Sequence, residues 1–309
     1  MAAGKSLVMV DFWSYAGPDG KPVGHGCKVG NEYYEYVKDD FDVRHYINES
    51  MMPYIDDSEK VSFDASITYG LGKKDRVMRC FKCLRQVYRD NPDGTIWFYV
   101  PDIYLFIFIL FAAKGKRRLA VNVFEEYKTN KIKNRIFRKA LKKIDYIFVT
   151  NPYLQKDIPS GVLIPDYAYD EERYKNYRCE ARKRRAVCLG TMNEKKQIRE
   201  AVETFSIMGY PLYVAGQFTS AETYDSVLKI KEDNVTVENR FVENDEYYRL
   251  LSESEYCIIP YDADFYRNRT SGVIQECLFC DCIPIAPRSI LEFCGVEGVG
   301  YEDIHELNE

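Results

Sequence analysis

The chain has 309 residues and a formal net charge of -5. This acidic balance argues against nucleic acid as a partner, because binding to a phosphate backbone depends on a basic surface. Hydrophobic residues (46%) and charged residues (29%) occur in the proportions of a soluble globular protein, which excludes a disordered or fibrous chain. At roughly 150 residues per domain, the length predicts two domains.

No export signal or membrane-spanning segment is recognisable in the sequence. The N-terminal MAAGKSLVMV leads directly into a strand-like run. The longest apolar stretch, residues 103–113, has 11 residues. A helix that crosses a bilayer needs about 20. We therefore expect a cytoplasmic protein whose ten cysteines are reduced.

Strand-like and helix-like segments alternate along the first half of the chain. Strands are predicted at 6–12, 41–47, 95–100, 118–124 and 146–152, and helices at 30–40, 73–90, 103–113 and 132–144. Such alternation predicts a parallel sheet covered by helices on both faces.

The same alternation restarts after a passage rich in proline, tyrosine and charge. Strands are predicted at 186–190, 211–216, 235–238, 256–261 and 282–286, and helices at 195–208, 221–231, 243–254 and 271–280. The sequence therefore predicts an α/β protein with two Rossmann-like, doubly wound domains, residues 1–165 and 166–309. We expect these domains to face a central cleft lined by the carboxyl ends of both sheets.

Two groups of closely spaced cysteines raise the possibility of a zinc site. Cys80 and Cys83 form a C-x2-C pair, and Cys277, Cys280 and Cys282 form C-x2-C-x-C. However, Cys80 and Cys277 recur with apolar neighbours at helical spacing, as core residues do. We therefore interpret these thiols as core residues and assign no metal site.

The segment RNRTSGVIQE, residues 267–276, follows an apolar strand and begins a helix. In doubly wound folds, ligands bind at this position, where free backbone amides and the helix dipole favour an anion. Arg267 and Arg269 flank the helix start, and Gly272 allows close approach of a ligand to the backbone. Glu276 lies one turn further on, within reach of a sugar hydroxyl. An exposed loop followed by a solvated glutamate is the alternative interpretation.

The second half of the chain resembles a known family. The order GTMNEKKQIREAVETF, PLYVAGQ, ENDEYYRLLSESEYCIIPYDADFYRNRTSGVIQECLFCDCIPIAP and ILEFCGVEGVGYED is similar to the donor-binding half of GT-B glycosyltransferases. The resemblance is to the retaining group with an E-x7-E signature, the group 1 glycosyl transferases. It implies that this half binds a nucleoside diphosphate sugar.

The resemblance also implies roles for individual residues. Glu276 matches the glutamate that binds the nucleotide ribose. The residues matched or offered as candidates for the diphosphate are Lys195, Lys196, Arg269, Thr270, Ser271 and Gly272. The chain departs from the family pattern at Asn268, where the first glutamate of the signature is expected, and at Thr191, where an arginine usually follows Gly190.

The resemblance implies a metal-independent transfer in which the leaving phosphate itself takes the acceptor proton. Hence no cofactor is expected beyond a nucleotide-sugar co-substrate that is UDP- or GDP-linked. An inverting reaction would instead need a base. His25, Glu125 and Glu126 are the catalytic candidates, and Gly24 and Gly26 are candidates for close approach of the acceptor or sugar.

Three alternatives remain open at the level of sequence. Asp262 and Asp264 form a D-x-D that could bind manganese in a metal-dependent, GT-A-like transferase. A nucleotide-sugar epimerase could use the same two-domain fold. The third is a non-enzymatic membrane-surface or scaffold module, because residues 128–144 form a basic amphipathic segment that fits either an anionic membrane surface or a helix packed on its own sheet.

The function favoured by the sequence is transfer of a sugar from a nucleotide sugar to a glycan or lipid-linked acceptor. The expected setting is polysaccharide or glycolipid biosynthesis at the cytoplasmic face of a membrane, with peripheral attachment through residues 128–144. No nucleic-acid partner is expected.

Overall fold

The computed structural model describes residues 5–23, 26–56, 58–125, 127, 130–164, 174–266 and 271–308. Gly24, His25, Glu126, Arg269 and Thr270 lie outside these ranges, as do Arg267 and Asn268. The chain divides into two compact units, Met1–Ala168 and Tyr169–Glu309, called unit 1 and unit 2 below. The sequence placed the boundary close by, between residues 165 and 166.

Unit 1 is built on a parallel sheet of seven strands in the order β3-β2-β1-β4-β5-β6-β7. The strands are β1 (Lys5–Asp11), β2 (Phe41–Ile47), β3 (Glu59–Ser62), β4 (Thr95–Phe98), β5 (Arg118–Val123), β6 (Tyr146–Val149) and β7 (Val162–Leu163). The chain runs outward from β1 to β3 and then continues at β4, on the other side of β1. The point where strand order reverses therefore lies between β1 and β4, and in such sheets this is where ligands bind.

Helices cover the sheet of unit 1. They are α1 (Gly26–Val37), α2 (Lys73–Asp90), α3 (Ile103–Phe111), α4 (Lys131–Leu141) and α5 (Pro152–Asp157). Asp102 begins α3 by accepting a hydrogen bond from the Tyr104 amide, and Asn130 begins α4 by accepting from Ile132 and Lys133. The first helix starts four residues earlier than the sequence indicated, at Gly26 rather than Gly30.

Helices α3 and α4 of unit 1 differ in how their apolar side chains are exposed. Helix α3 is confirmed within residues 103–113, but its last residue, Phe111, is 87% exposed. In α4 the apolar side chains Phe137, Ala140 and Leu141 are buried in the core of the unit. The apolar face that could have met a lipid surface is therefore packed on the protein, and of that face Ile132 alone is strongly exposed, at 73%.

Unit 2 contains a second parallel sheet, of six strands in the order β10-β9-β8-β11-β12-β13. The strands are β8 (Lys183–Leu189), β9 (Leu212–Gly216), β10 (Val235–Asn239), β11 (Ser254–Ile258), β12 (Ile283–Pro287) and β13 (Val299–Tyr301). The helices are α6 (Ile198–Met208), α7 (Ala221–Ile230), α8 (Asn244–Ser252), α9 (Ala263–Tyr266), α10 (Gly272–Phe279) and α11 (Arg288–Cys294). Strand order reverses between β8 and β11.

The clustered cysteines are core residues of two separate units. Cys80 and Cys83 are fully buried in unit 1, where burial raises the pKa of both thiols to about 12. Cys277, Cys280 and Cys282 are at most 2% exposed in the core of unit 2. Within the described ranges, no group of three or more His, Cys, Asp or Glu side chains is arranged to hold a metal ion.

The described part of the chain contains no helix with the length and apolar character needed to cross a membrane.

Candidate functional site

The segment between β8 and α6 is fixed at the switch point of unit 2. Gly190 adopts φ 94°, and a Cβ atom on Gly216 would lie 1.7 Å from the Gly190 carbonyl oxygen, so two loops approach closely. The amide of Asp262 donates to the Lys195 carbonyl, and the amide of Gln197 donates to the Pro260 carbonyl. These bonds tie the segment after β8 to the segment after β11.

Lys195 and Lys196 lie in this fixed segment, whereas the sequence predicted that the helix would already include them. The Lys196 ammonium lies 5.6 Å from the centroid of the Tyr261 ring. Burial lowers the pKa of Lys196, and no carboxylate among the described residues forms an ion pair with it. The side chain is half-buried. A partly desolvated cation without a counter-ion among the described residues is costly, which is typical of a site that receives an anion from solution.

The start of α10 lies beside the same tyrosine. Ser271, 4% exposed, precedes the helix, and its hydroxyl lies 3.2 Å from the Tyr261 hydroxyl instead of capping the first-turn amides. Tyr261 in turn stacks on Tyr266 with ring centroids 3.9 Å apart. Gly272, the first residue of α10, carries no side chain over those amides. Lys196 and the positive end of a helix dipole are therefore both adjacent to Tyr261.

Glu276 lies on α10 and is 3% exposed. Its Oε2 accepts a hydrogen bond of 2.6 Å from Tyr247, and its Oε1 lies 3.5 Å from the hydroxyl of Tyr248. Tyr174 donates to the Tyr248 hydroxyl over 3.3 Å. Burial and the charge of Glu276 raise the pKa of Tyr247, so this phenol stays a donor. The tyrosines fix the orientation of an acceptor-rich carboxylate, which suits binding of a vicinal diol.

The tyrosines around Glu276 were not predicted from the sequence. The adjacent pair in DEYYRLL fits an ordinary amphipathic helix, and only the packing of α8 against α10 brings both hydroxyls to one carboxylate.

The D-x-D aspartates have a local structural role. Oδ1 of Asp262 accepts hydrogen bonds from the amides of Asp264 and Phe265, at 3.0 and 2.9 Å, and so begins the short helix α9. Asp264 is exposed. This geometry and the second parallel sheet both disfavour the GT-A-like alternative.

In unit 1, Glu125 is the one described member of the predicted catalytic set, and it follows β5. Asp102 follows the neighbouring strand β4. Burial raises the pKa of Asp102, and the charge of Glu125 raises it further. The structure therefore brings two carboxyl groups into electrostatic contact at the ends of adjacent strands. The sequence analysis did not predict a site role for Asp102, because its position before an apolar helix indicates only a helix cap.

Gly26 has a packing role that the sequence did not predict. It is the first residue of α1, and a Cβ there would lie 2.2 Å from the Ser14 hydroxyl and 2.6 Å from Oδ2 of Asp11. The missing side chain thus lets α1 begin against the end of β1. Close approach of the acceptor or sugar to Gly26 stays a prediction. Burial raises the pKa of Asp11, whose Oδ1 accepts from the amides of Trp13 and Ser14.

Beneath this edge of the sheet lies a buried imidazole. His45 on β2 is fully buried, and its Nε2 lies 2.7 Å from the Tyr99 hydroxyl. Burial lowers the pKa of His45 to about 3, so the ring is neutral at physiological pH. It is a structural residue and is poorly suited to give or take protons in a reaction at neutral pH.

No protein-family model and no curated protein sequence matches the chain. Solved structures do match it in fold. HepE from Anabaena, in complex with UDP and glucose, has a TM-score of 0.60 and 11% identity over 98% of this chain and 89% of its own. AviGT4, a glycosyltransferase involved in avilamycin A biosynthesis, has a TM-score of 0.57 and 9% identity, over 98% and 88%.

Epimerases match equally well. The UDP-GlcNAc 2-epimerase from Methanocaldococcus jannaschii has a TM-score of 0.56 and 11% identity over 97% of this chain and 91% of its own. Together with the two parallel sheets, these matches show that the predicted GT-B fold class is confirmed. At this level of identity they show the fold alone, and the match to the retaining group remains a prediction.

Proposed function

We propose that the protein is a glycosyltransferase that transfers a sugar from a nucleoside diphosphate sugar to a glycan or lipid-linked acceptor. The observation that carries the proposal is the arrangement in unit 2. A half-buried cation, Lys196, and the open first turn of α10 both adjoin Tyr261, and four residues into α10 a carboxylate is held by tyrosines. A diphosphate needs the first two features, and a ribose diol fits the third.

The same groups account for the chemistry of the leaving group. Cleavage of the glycosyl bond leaves negative charge on the nucleoside diphosphate. Lys196 and the first-turn amides of α10 stabilise that charge without a metal, and Lys195 adds to the field. Arg269 and Thr270 remain candidates for the same role from outside the described residues. Under this proposal the leaving nucleotide is UDP or GDP, and the transferred sugar retains its anomeric configuration.

We assign the acceptor to unit 1, where Glu125 and Asp102 follow neighbouring strands. Burial raises the pKa of Asp102, so its carboxyl group binds a proton more readily than a free one would. A protonated carboxyl group can donate to a sugar hydroxyl, and an ionised one can accept from it. His25 and Glu126 stay candidates for a catalytic base in an inverting reaction.

A nucleotide-sugar epimerase is a second candidate. Inverting a carbon of the sugar requires an acid and a base near that carbon. Asp102, whose pKa is raised by burial and by the nearby charge of Glu125, and Glu125 itself are the two carboxyl groups that we assign to this acid and base. The matches to UDP-GlcNAc 2-epimerases support this candidate as strongly as the others support transfer.

One assay separates the candidates. The protein is incubated with a panel of UDP- and GDP-sugars, with and without glycan and lipid-linked acceptors, and the products are resolved by mass spectrometry and NMR. A transferase releases nucleoside diphosphate in proportion to glycosylated acceptor. An epimerase leaves the mass of the nucleotide sugar unchanged and inverts one carbon without acceptor. Consumption only after manganese is added would instead favour the metal-dependent alternative.

The proposal includes attachment to an anionic membrane through α4. The basic side chains of α4 that remain exposed are Lys131, Lys133, Arg135 and Lys139, followed by Lys142. They could attract anionic lipid, each contributing about 1 kcal/mol near the surface. Arg138 is already engaged with Asp157, and the apolar face is buried, so we expect the attraction to be electrostatic and sensitive to salt.

A further inference from the structure

The side chain of one arginine in unit 1 has no hydrogen-bonding partner in the part of the chain that the structure describes. Arg76 lies in the first turn of α2, and its Nε atom is buried without a hydrogen bond. Within the described residues, no side-chain hydrogen bond or ion pair satisfies its guanidinium group. Buried polar atoms in native proteins are nearly always paired, so an unpaired one calls for a functional explanation.

The guanidinium group is held in place by aromatic rings. Its carbon lies 4.8 Å from the centroid of the Tyr15 ring and 5.8 Å from that of Trp13. Trp13 also packs against Tyr104 of α3, with centroids 6.1 Å apart. Arginine stacks on aromatic faces while its N–H groups stay available in the plane, which leaves a two-pronged donor for carboxylate or phosphate.

The loop that carries these rings is rigid. Oδ1 of Asp11 accepts from the amides of Trp13 and Ser14, and the Asn48 side chain donates to the carbonyl of Ser14 over 2.7 Å. The amide of Val23 donates to the Tyr15 carbonyl. The aromatic platform is therefore preformed, so little ordering would be needed when a ligand binds.

The position is the one at which a sheet of this topology binds ligands. The loop follows β1, and α2 begins at the same edge of the sheet, beside the reversal of strand order between β1 and β4. Gly72, which precedes α2, offers no side chain to cap the first-turn amides. Lys73 and Lys74 add positive charge, while Asp75 in the same turn subtracts some.

We propose that Arg76, stacked on Trp13 and Tyr15, binds an oxyanion of the second substrate, either a phosphate or a carboxylate group. This inference rests on the proposed function, because it assigns an anionic acceptor to unit 1. Phosphate monoesters and acidic sugars share the required chemistry, and neutral sugars lack it. The guanidinium positions the acceptor and takes no part in bond making.

The sequence provides a local reporter for a test. The chain has two tryptophans, Trp13 and Trp97, and Trp97 is 7% exposed with its indole bonded to Asn122. An anion that binds Arg76 changes the electric field at Trp13. Emission is titrated with inorganic phosphate, glucose 6-phosphate, glucuronate and glucose, and Trp13→Phe identifies the signal from Trp13.

We expect a saturable change with at least one anionic probe and none with glucose. Arg76→Gln should weaken the binding of that probe by roughly 10- to 100-fold, since a charged hydrogen-bonding partner is lost. Arg76→Lys keeps the positive charge but loses the two-pronged guanidinium donor, so its affinity for the probe should lie between those of the wild type and Arg76→Gln. Arg85→Gln, which removes an exposed arginine further along α2, is the matched control and should bind like the wild type. Melting temperatures verify folding.

Equal binding by wild type and Arg76→Gln would overturn the inference, and so would the absence of a saturable response to every anion. A separate calorimetric titration with UDP and GDP distinguishes this failure from that of the proposed function. If Glu276→Gln loses nucleotide binding and Arg76→Gln keeps it, the donor site in unit 2 is supported, even if Arg76 binds no anion. A response of Trp13 to an anion, without any binding of UDP or GDP, would support the anion site at Arg76 and contradict the proposed transferase function.

Discussion

The two units have sheets of the same kind, yet the side chains at their switch points differ in chemistry. Between β8 and β11, unit 2 presents a cation, helix amides and one carboxylate whose orientation tyrosines fix. Around the end of β1, unit 1 presents the buried carboxyl group of Asp11, the neutral imidazole of His45 and an arginine stacked on aromatic rings. In both units, sheet topology therefore determines where a ligand binds, while the individual side chains determine which ligand it is.

The largest effect should come from Glu276. Replacing Glu276 with Gln removes the charge that accepts from a ribose diol, and we expect nucleotide affinity to fall by roughly 10- to 100-fold, measured by calorimetry with UDP and GDP. Glu292→Gln, an exposed change on α11 of the same unit, is the control. Unchanged affinity in Glu276→Gln would break the assignment of the nucleotide to this carboxylate.

Lowering the pH should destabilise unit 1 through His45. Because the pKa of His45 is about 3 in the folded protein and near 6.5 when unfolded, the unfolded state takes up the proton first as pH falls. Stability from this group is complete above pH 6.5 and is progressively lost between pH 6.5 and 3, by about 2 kcal/mol at pH 5.

Both tryptophans lie in unit 1, so urea unfolding followed by their fluorescence reports on this unit alone. Between pH 7 and pH 5, His45→Gln should lose less stability than the wild type. The same loss in both proteins would show that the buried imidazole is not responsible.

Lys196 should show a trade-off between binding and stability. Lys196→Met should weaken UDP binding by roughly 10-fold and leave uridine binding unchanged, because only the diphosphate meets the cation. Burial lowers the pKa of Lys196, so the unfolded chain protonates this group more readily and its charge opposes folding below that pKa.

The nucleotide-free Lys196→Met variant should therefore melt at a higher temperature than the wild type. As pH rises toward 10, wild-type affinity for UDP should decline before an exposed lysine would lose its charge. Lys195→Met should have a smaller effect, since this side chain is exposed and its ammonium lies 5.2 Å from the Phe265 ring. If Lys196→Met instead lowered the melting temperature, the claim that the unpaired charge of Lys196 destabilises the nucleotide-free protein would be wrong.

The smallest effect should be at the surface of α4. Co-sedimentation with anionic vesicles should be weak at low salt, absent with neutral vesicles, and lost in Lys139→Glu/Lys142→Glu. Nucleotide binding should not change in this variant. Association that persists at high salt would require an apolar contact, and Phe111 and Ile132 would then be the side chains to replace.

Much of the fold was legible in the sequence. Alternating strand and helix patterns predicted both sheets and most of their elements, because burial of each strand between helices imposes its own periodicity. Elements without such a pattern were missed. Strand β7 has only two residues, and β3 (EKVS) has one apolar residue and no buried position, so neither has a hydrophobic pattern. The start of α1 was misplaced because glycines at 24 and 26 indicate a loop, whereas Gly26 serves helix packing.

For the candidate site, the sequence sufficed to locate the helix start that carries Ser271, Gly272 and Glu276, since position after a strand is a local property of the chain. It placed Lys196 in a helix, whereas the structure places it in the loop before that helix. The surroundings of these residues depend on the tertiary fold. Tyr247 and Tyr248 reach Glu276 from another helix, and Arg76 meets Trp13 and Tyr15 from about sixty residues away along the chain. Burial, pairing and pKa depend on neighbours distant in sequence, and no local pattern records them.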